Sequence, residues 1–135
     1  MKKLGEQGFT LIEVLVVCTL LGVLATIAVP RFTKSVVMAN TAKVQADLQI
    51  LDAAIIMYEA ENGEEPSAIS DLKEYVTDLE NLSPPKGKCK LRTGKVVEIT
   101  DTAYTIAVAK DADGNAAGSQ KRALCSGMTA GAFGK

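Results

Sequence analysis

The feature that most limits the possible folds is an apolar run near the start of the chain. Residues 9–29 comprise 21 positions, of which only Glu13 is charged. A helix of that length extends about 32 Å, and the hydrocarbon core of a bilayer is about 30 Å thick. We therefore predict a transmembrane or assembly helix over residues 9–30, with the rest of the chain attached to it.

Glu13 is the exception within this run. A carboxylate inside a membrane is costly and usually has a function. Because Glu13 lies only four residues after Phe9, one alternative is a carboxylate that stays among the lipid headgroups without a role. The sequence nevertheless favours a functional partner for Glu13.

The residues around Glu13 form a recognisable motif. Residues 8–13 (GFTLIE) follow a short Lys-rich leader and precede the apolar run, with Gly22 and Pro30 further along. This segment resembles the N-terminal signal of type IV pilins and type II secretion pseudopilins. The resemblance implies that a prepilin peptidase, which requires Gly8, cuts between Gly8 and Phe9. It also implies N-methylation of Phe9 and pairing of Glu13 with the N-terminal amine of a neighbouring subunit.

The same resemblance implies partners and a location. The partners are identical or homologous pilin subunits, the prepilin peptidase, an inner-membrane assembly platform and, before assembly, membrane lipid. The location is the bacterial inner membrane with the head outside the cytoplasm, and then an extracellular pilus or a periplasmic pseudopilus. We rank a type IV pilin first because of the two downstream cysteines, Cys89 and Cys125. A type II secretion pseudopilin is the alternative, favoured by the compact head and an Asp-rich turn.

The pairing of Glu13 has a physical basis of its own. Cleavage after Gly8 creates a positive amine at Phe9, and an amine or a carboxylate left alone inside an apolar bundle costs several kcal/mol. Paired across subunits, each group offsets the desolvation of the other. The pair therefore favours one axial stagger between neighbouring helices.

Removal of a secretory signal peptide is a competing interpretation of the apolar run. Thr26-Ile27-Ala28 fits a small-x-small cleavage site. Against it, Glu13 interrupts the apolar region, and the helical pattern continues beyond the run. We therefore expect residues 1–8 to be the leader and residues 9–30 to remain.

The helix is predicted to continue as an amphipathic segment over residues 31–62. Pro30 lacks an N–H and Gly22 has low helix propensity, so these are the expected weak points. Glu61-Asn62-Gly63 supplies a C-terminal stop. Apolar residues recur downstream of Pro30 at steps of three and four, which indicates one buried stripe: Phe32, Val36, Val44, Leu48, Leu51, Ile55 and Tyr58.

Residues 63–135 are predicted to form a small globular head. We predict a short helix over residues 67–80 and then three or four antiparallel strands, at 86–92, 95–100, 104–110 and 119–126, with a hairpin turn at Asp113-Gly114-Asn115. Residues 127–135 are Gly- and Ala-rich, with little except Phe133 to order them. The fold class is therefore α+β: a long N-terminal helical spine carrying one short helix and an antiparallel sheet, as in pilins.

The sequence argues against catalysis. It contains no His, which is the commonest general base and metal ligand, and no nucleophile or phosphate-loop motif. We expect no enzymatic activity, no cofactor and no metal. Asp111 and Asp113 overlap the start of a calcium loop, so calcium binding is an alternative to a solvated turn.

Alternating basic residues suggest a second class of function. Lys86, Lys88, Lys90 and Arg92 would share one face of a strand and could contact phosphates, although no aromatic residue among them could stack on bases. The alternative function is a monomeric, membrane-anchored DNA-binding protein. A solvated strand face is the simpler interpretation.

The three cysteines differ in their setting. Cys18 lies inside the apolar run as a small hydrophobic residue. The motif places Cys89 and Cys125 outside the cytoplasm, where disulfides persist, and we predict that they are bonded. By closing the loop between these residues, such a bond would stabilise the folded state by about 3–4 kcal/mol.

Overall fold

The computed structural model describes residues 8–110 and 116–134. Helix α1 spans Leu11–Asn62, and four strands follow: β1 Gly87–Lys90, β2 Val96–Ile99, β3 Thr105–Lys110 and β4 Ala116–Leu124. The chain divides into two compact units, residues 1–35 and 36–135. The division falls within α1, and the predicted segments 1–8, 9–30, 31–62 and 63–135 stay a prediction. The predicted α+β class, with a long N-terminal helix and antiparallel strands, is confirmed.

The first unit presents apolar side chains on every side. Its part of α1 contains an 18-residue window of mean hydropathy 2.6, none of which is buried, so this helix is long and apolar enough to cross a membrane. Phe32, which we placed in the buried stripe, is 72% exposed. The helix continues through Gly22 and Pro30 in this structure, and local opening at these two residues stays a prediction.

In the second unit, α1 forms one wall of the core. Its buried residues recur at three- and four-residue steps, as expected for one face of a helix: Thr41, Val44, Leu48, Leu51, Ala54 and Ile55. Of the predicted stripe, Val36 is exposed and Tyr58 is half-buried. The helix ends at Asn62, and Gly63 follows with φ +71° and donates its N–H to the Glu59 carbonyl at 2.9 Å. The predicted stop is therefore correct.

The predicted second α-helix over residues 67–80 is wrong. The structure has two 3₁₀ helices here, Ile69–Leu72 and Leu79–Asn81. The Asp71 carboxylate accepts the backbone N–H groups of Ser67 and Ala68, both at 2.9 Å. Asp78 then adopts a left-handed conformation with φ 57°. An α-helix cannot continue through such a residue, so the segment forms separate turns.

The strands form two two-stranded antiparallel sheets, β1–β2 and β3–β4, instead of the single sheet that we predicted. Lys88 lies opposite Glu98 in the first sheet, and Ala107 lies opposite Arg122 in the second. Between β1 and β2, Gly94 adopts φ +88° in the turn. The predicted turn at 113–115 lies outside the described residues.

Side chains of α1 bind the outer edges of both sheets. The Thr41 hydroxyl accepts the Lys90 N–H at 2.7 Å, and the Asp52 carboxylate accepts the Ala123 N–H at 2.9 Å. Arg122 also donates to Asp52, at 2.7 Å. Because these backbone groups already have partners on the helix, they do not require another strand. This accounts for two small sheets held separately against α1.

The C-terminal segment is better ordered than we predicted. Phe133 is 1% exposed and lies in the core cluster, and Leu91 forms an isolated β-bridge with it. On either side of Phe133, Arg92 N–H donates to the Ala132 carbonyl at 2.8 Å and Gly134 N–H donates to the Lys90 carbonyl at 3.2 Å. The segment therefore covers the free edge of β1 and closes the core.

All three cysteines, which lie within the described residues, are free thiols in the structure. Cys89 and Cys125 are fully buried and belong to the same core cluster. The disulfide that we predicted between them is not formed in this structure, and it stays a prediction.

The pH dependence of stability tests the state of these thiols. Burial raises the pKa of Cys125 to about 11, and the Asp101 carboxylate and the Cys89 thiol add to this increase; burial also raises the pKa of Cys89. In an unfolded chain a thiol has a pKa of about 8.5. The reduced chain therefore keeps the full contribution of these thiols below about pH 8.5 and loses it as the pH rises toward 11.

The loss of stability at alkaline pH should appear as a fall in melting temperature. We expect this fall to be smaller without reductant than with it, because bonded sulfurs do not titrate. A thiol count on denatured, unreduced protein provides the direct measurement. One reactive thiol, from Cys18, supports the bond. Three reactive thiols, with the same alkaline loss in both samples, would refute it.

Candidate assembly site at the start of α1

The residues at the start of α1 hold one another through a reciprocal capping box. The Glu13 carboxylate oxygen Oε2 accepts the Thr10 N–H at 2.8 Å and the Thr10 hydroxyl at 2.9 Å. In return, the Glu13 N–H donates to Thr10 Oγ1 at 3.3 Å. Thr10 precedes the first helical residue, Leu11. The pattern satisfies two donors that a helix start otherwise leaves unpaired.

This arrangement fixes where the charge of Glu13 lies. The carboxylate is held at the N-terminal end of α1, where the helix dipole favours a negative charge. Phe9, whose amine the predicted cleavage would expose, precedes Thr10 directly and is 89% exposed. The site therefore combines a helix-capping carboxylate with an open approach to it, and Gly8 lies beside them.

The sequence analysis missed the part played by Thr10. Thr-x-x-Glu before an apolar run is a recognised capping signature, and residues 10–13 match it. We predicted Glu13 as a carboxylate waiting for an external partner. The structure adds an internal one, so Glu13 has a structural role before any subunit meets it.

The other predicted site residues lie elsewhere. Lys86, Lys88, Lys90 and Arg92 are all exposed, while Cys89 between them is buried and Leu91 is half-buried. The predicted basic face therefore exists, with Glu98 opposite Lys88 in register. Asp111 and Asp113, the alternative calcium ligands, lie outside the described residues. Within the part of the chain that the structure describes, no cluster of three or more His, Cys, Asp or Glu residues could hold a metal ion.

Comparison with known proteins places the N-terminal site in a family. The family model for the prokaryotic N-terminal methylation motif matches residues 3–29. The type II secretion system core protein G of Pectobacterium carotovorum subsp. carotovorum is 39% identical over 72 residues, 53% of this chain and 46% of that protein. The predicted resemblance to type IV pilins and type II secretion pseudopilins is therefore confirmed for the N-terminal motif. The matched motif contains the whole capping box, so the hydrogen bonds between Thr10 and Glu13 lie within the segment that the family model describes.

Two further relatives extend the match into the second unit. The core protein G of Vibrio cholerae serotype O1 is 38% identical over 85 residues, 62% of this chain and 58% of its own. That of Pseudomonas aeruginosa is 33% identical over 86 residues, 64% of this chain and 61% of its own. The chain thus spans about half the length of the relatives it matches. No solved structure matches it.

These relatives reverse our ranking within the family. We placed a type IV pilin before a pseudopilin because of Cys89 and Cys125. The relatives named above are type II secretion proteins, which favours the alternative. The cysteines were a poor criterion because two thiols buried in one core are also explained by packing alone.

Proposed function

We propose that the chain is a structural subunit of a type II secretion pseudopilus. The observation that carries the proposal is the similarity to core protein G, at 38% identity over 85 residues in the Vibrio cholerae protein. The N-terminal methylation motif over residues 3–29 adds support. Before assembly, residues 9–30 anchor the subunit in the inner membrane. The same helix then packs into a periplasmic filament.

The physical argument for assembly concerns the first unit. Its apolar side chains are exposed all around the helix, as with Leu15, Leu20, Leu24 and Ile27, which are 53–61% exposed. Apolar surface of this extent requires either lipid or other apolar helices. When a subunit leaves the bilayer, equivalent helices of other copies replace the lipid. Glu13 and the Phe9 amine then set the stagger between them.

Deletion of the gene in its source organism tests the proposed function. We expect protein export across the outer membrane to stop, while surface type IV pili remain. Restoring the wild-type chain should restore export. A Gly8→Val variant, which the peptidase should not cut, is the matched control and should fail to restore it. Unchanged export in the deletion strain would overturn the proposal.

Processing gives a separate prediction. Because Gly8 and Phe9 are exposed before α1 begins, the bond between them is open to a peptidase. We expect a mature chain that begins at Phe9 and carries one N-methyl group. Mass spectrometry of the intact mature chain measures both features. A chain that retains Met1, or one that begins at Val29 after signal-peptide removal, would contradict the prediction.

A further inference from the structure

The charges of the second unit are separated along the sequence. Residues 59–80 contain eight acidic residues and one basic residue, whereas residues 86–95 contain five basic residues and no acidic residue. The chain as a whole has a net charge of only −1. Two opposite local charges therefore coexist within one small unit.

The basic residues form one exposed surface, which we call the basic face: Lys86, Lys88, Lys90, Arg92 and Lys95. Asn40 and Thr41 of α1 locate it, since their side chains hydrogen-bond the backbone of Lys88 and Lys90. None of the three salt bridges among the described residues involves the basic face. Glu98, opposite Lys88, offsets only one of its five charges.

A groove adjoins the basic face. It has a volume of about 440 Å³ and is lined by Met38, Thr41, Ala42, Gln45, Lys90 and Gly134. Met38 is 59% exposed, so the groove offers apolar surface next to the Lys90 ammonium. Such a combination suits an acidic segment that also carries apolar side chains.

The acidic residues gather at the other end of this part of α1. We call Glu59, Glu61, Glu64 and Glu74 the acidic end. The last turn of α1 contains no basic residue, so these carboxylates add to the negative end of the helix dipole. The Glu61 carboxylate accepts the Tyr75 hydroxyl at 2.6 Å and raises the pKa of that phenol. Like charges gathered here repel one another. The Lys121 ammonium, which donates to the Pro66 carbonyl at 3.2 Å, is one cation of the same chain nearby, and it leaves most of the negative charge available to cations of another molecule.

The two surfaces are separated and complementary. Thr41 and Glu61 are 20 residues apart on α1, which corresponds to about 30 Å along a helix. Contact between them within one chain is therefore excluded. Ile56 and Met57, which are 65% and 54% exposed, lie next to the acidic end and match the apolar part of the groove. The basic face offers positive charge beside a groove, and the acidic end offers negative charge beside exposed apolar side chains.

We propose that the basic face of one copy binds the acidic end of a second copy. The proposal rests on the proposed function and names the contact between heads in the filament. Because the two surfaces differ, the contact is heterologous and can repeat without closing, as a filament requires. Charge complementarity of this kind also fixes register and disfavours wrong partners.

Charge reversal in the full chain tests the contact, with filament yield measured as cross-linked multimers of the chain in whole cells that also make the assembly machinery. One variant reverses the basic face (Lys86→Glu with Lys88→Glu), and another reverses the acidic end (Glu64→Lys with Glu74→Lys). We expect each to lower the filament yield by about tenfold or more, because like charges then face one another. Lys110→Glu reverses one charge at an exposed site outside both surfaces; it is compared with Lys88→Glu alone and should keep the wild-type yield.

Rescue identifies the partner. A chain carrying all four reversals, and cells that co-produce the two reversed variants, both restore opposite charges and should recover filaments. Binding of DNA or anionic lipid by the basic face predicts no loss from the acidic-end variant and no rescue, and this result overturns the proposal. Filaments that persist in both charge-reversed variants overturn the proposed contact and leave the proposed function standing. A wild-type chain that makes none overturns the proposed function with it. Unchanged melting temperatures exclude misfolding as the cause of a loss.

Discussion

Glu13→Ala is expected to abolish filament assembly while leaving cleavage after Gly8 intact. The substitution removes the carboxylate that would meet the Phe9 amine of a neighbour. An amine left unpaired inside an apolar bundle costs about 3–5 kcal/mol, and every 1.4 kcal/mol is about tenfold in an equilibrium constant. Assembly should therefore fall by more than about a hundredfold. The yield of cross-linked multimers in whole cells measures assembly, and the mass of the mature chain measures cleavage.

The capping box in the structure allows the charge of Glu13 to be separated from its structural role. Glu13→Gln keeps an oxygen that can accept the Thr10 N–H, now at 2.8 Å from the carboxylate, but removes the negative charge. Thr10→Val keeps the charge and removes the hydroxyl bond at 2.9 Å. Losing a cap costs about 1 kcal/mol. We expect Glu13→Gln to fail almost as completely as Glu13→Ala, and Thr10→Val to lose only part of the yield.

Other results would change the interpretation. Normal filament yield from both Glu13 variants would remove the pairing hypothesis. A normal yield from Glu13→Gln alone, with loss in Thr10→Val, would mean that Glu13 acts by capping its own helix. Thr10→Ser, which retains a hydroxyl, is the matched control and should assemble like the wild type.

The features that were predicted correctly from sequence carry strong local signals. The apolar run and the stripe through Val44, Leu48, Leu51 and Ile55 show the helical period over several turns, and Gly63 stops the helix. Strands β1 to β3 lie within the predicted ranges because turn residues bound them. At the candidate site, the motif identified Gly8, Phe9 and Glu13 as a group. Local patterns of this kind need no knowledge of the tertiary structure.

The failures occurred where distant contacts decide. Ile69, Leu72, Tyr75 and Leu79 recur at spacings that an α-helix and successive 3₁₀ turns share, so periodicity did not distinguish them. The left-handed backbone conformation of Asp78 does distinguish them, because it interrupts an α-helix. Likewise, nothing in the sequence near Asp52 indicates that its carboxylate will bind the edge of β4, 71 residues away. The division into two sheets follows from such bonds and was therefore not predictable.

Phe133 illustrates the same limit and gives the second large expected effect. A single aromatic residue in a Gly- and Ala-rich segment has no periodic neighbours, and we predicted little order around it. In the structure it is 1% exposed and, among the described residues, is the largest fully buried side chain, packed in the same core cluster as Leu48 and Cys89. The backbone bonds of Ala132 and Gly134 to β1 and its turn hold it there.

We expect Phe133→Ala to lower the free energy of unfolding of the full chain in detergent by about 3–5 kcal/mol, as for other buried aromatic residues. Domains have only about 5–15 kcal/mol in total, so the second unit should be largely unfolded at moderate denaturant. Denaturant titration followed by circular dichroism measures the change. Val96→Ala, at a position 49% exposed on β2, is the matched control and should change stability by less than about 0.5 kcal/mol. An equally small change in Phe133→Ala would mean that the C-terminal segment does not close the core in solution, because truncating a side chain that is not buried creates no cavity.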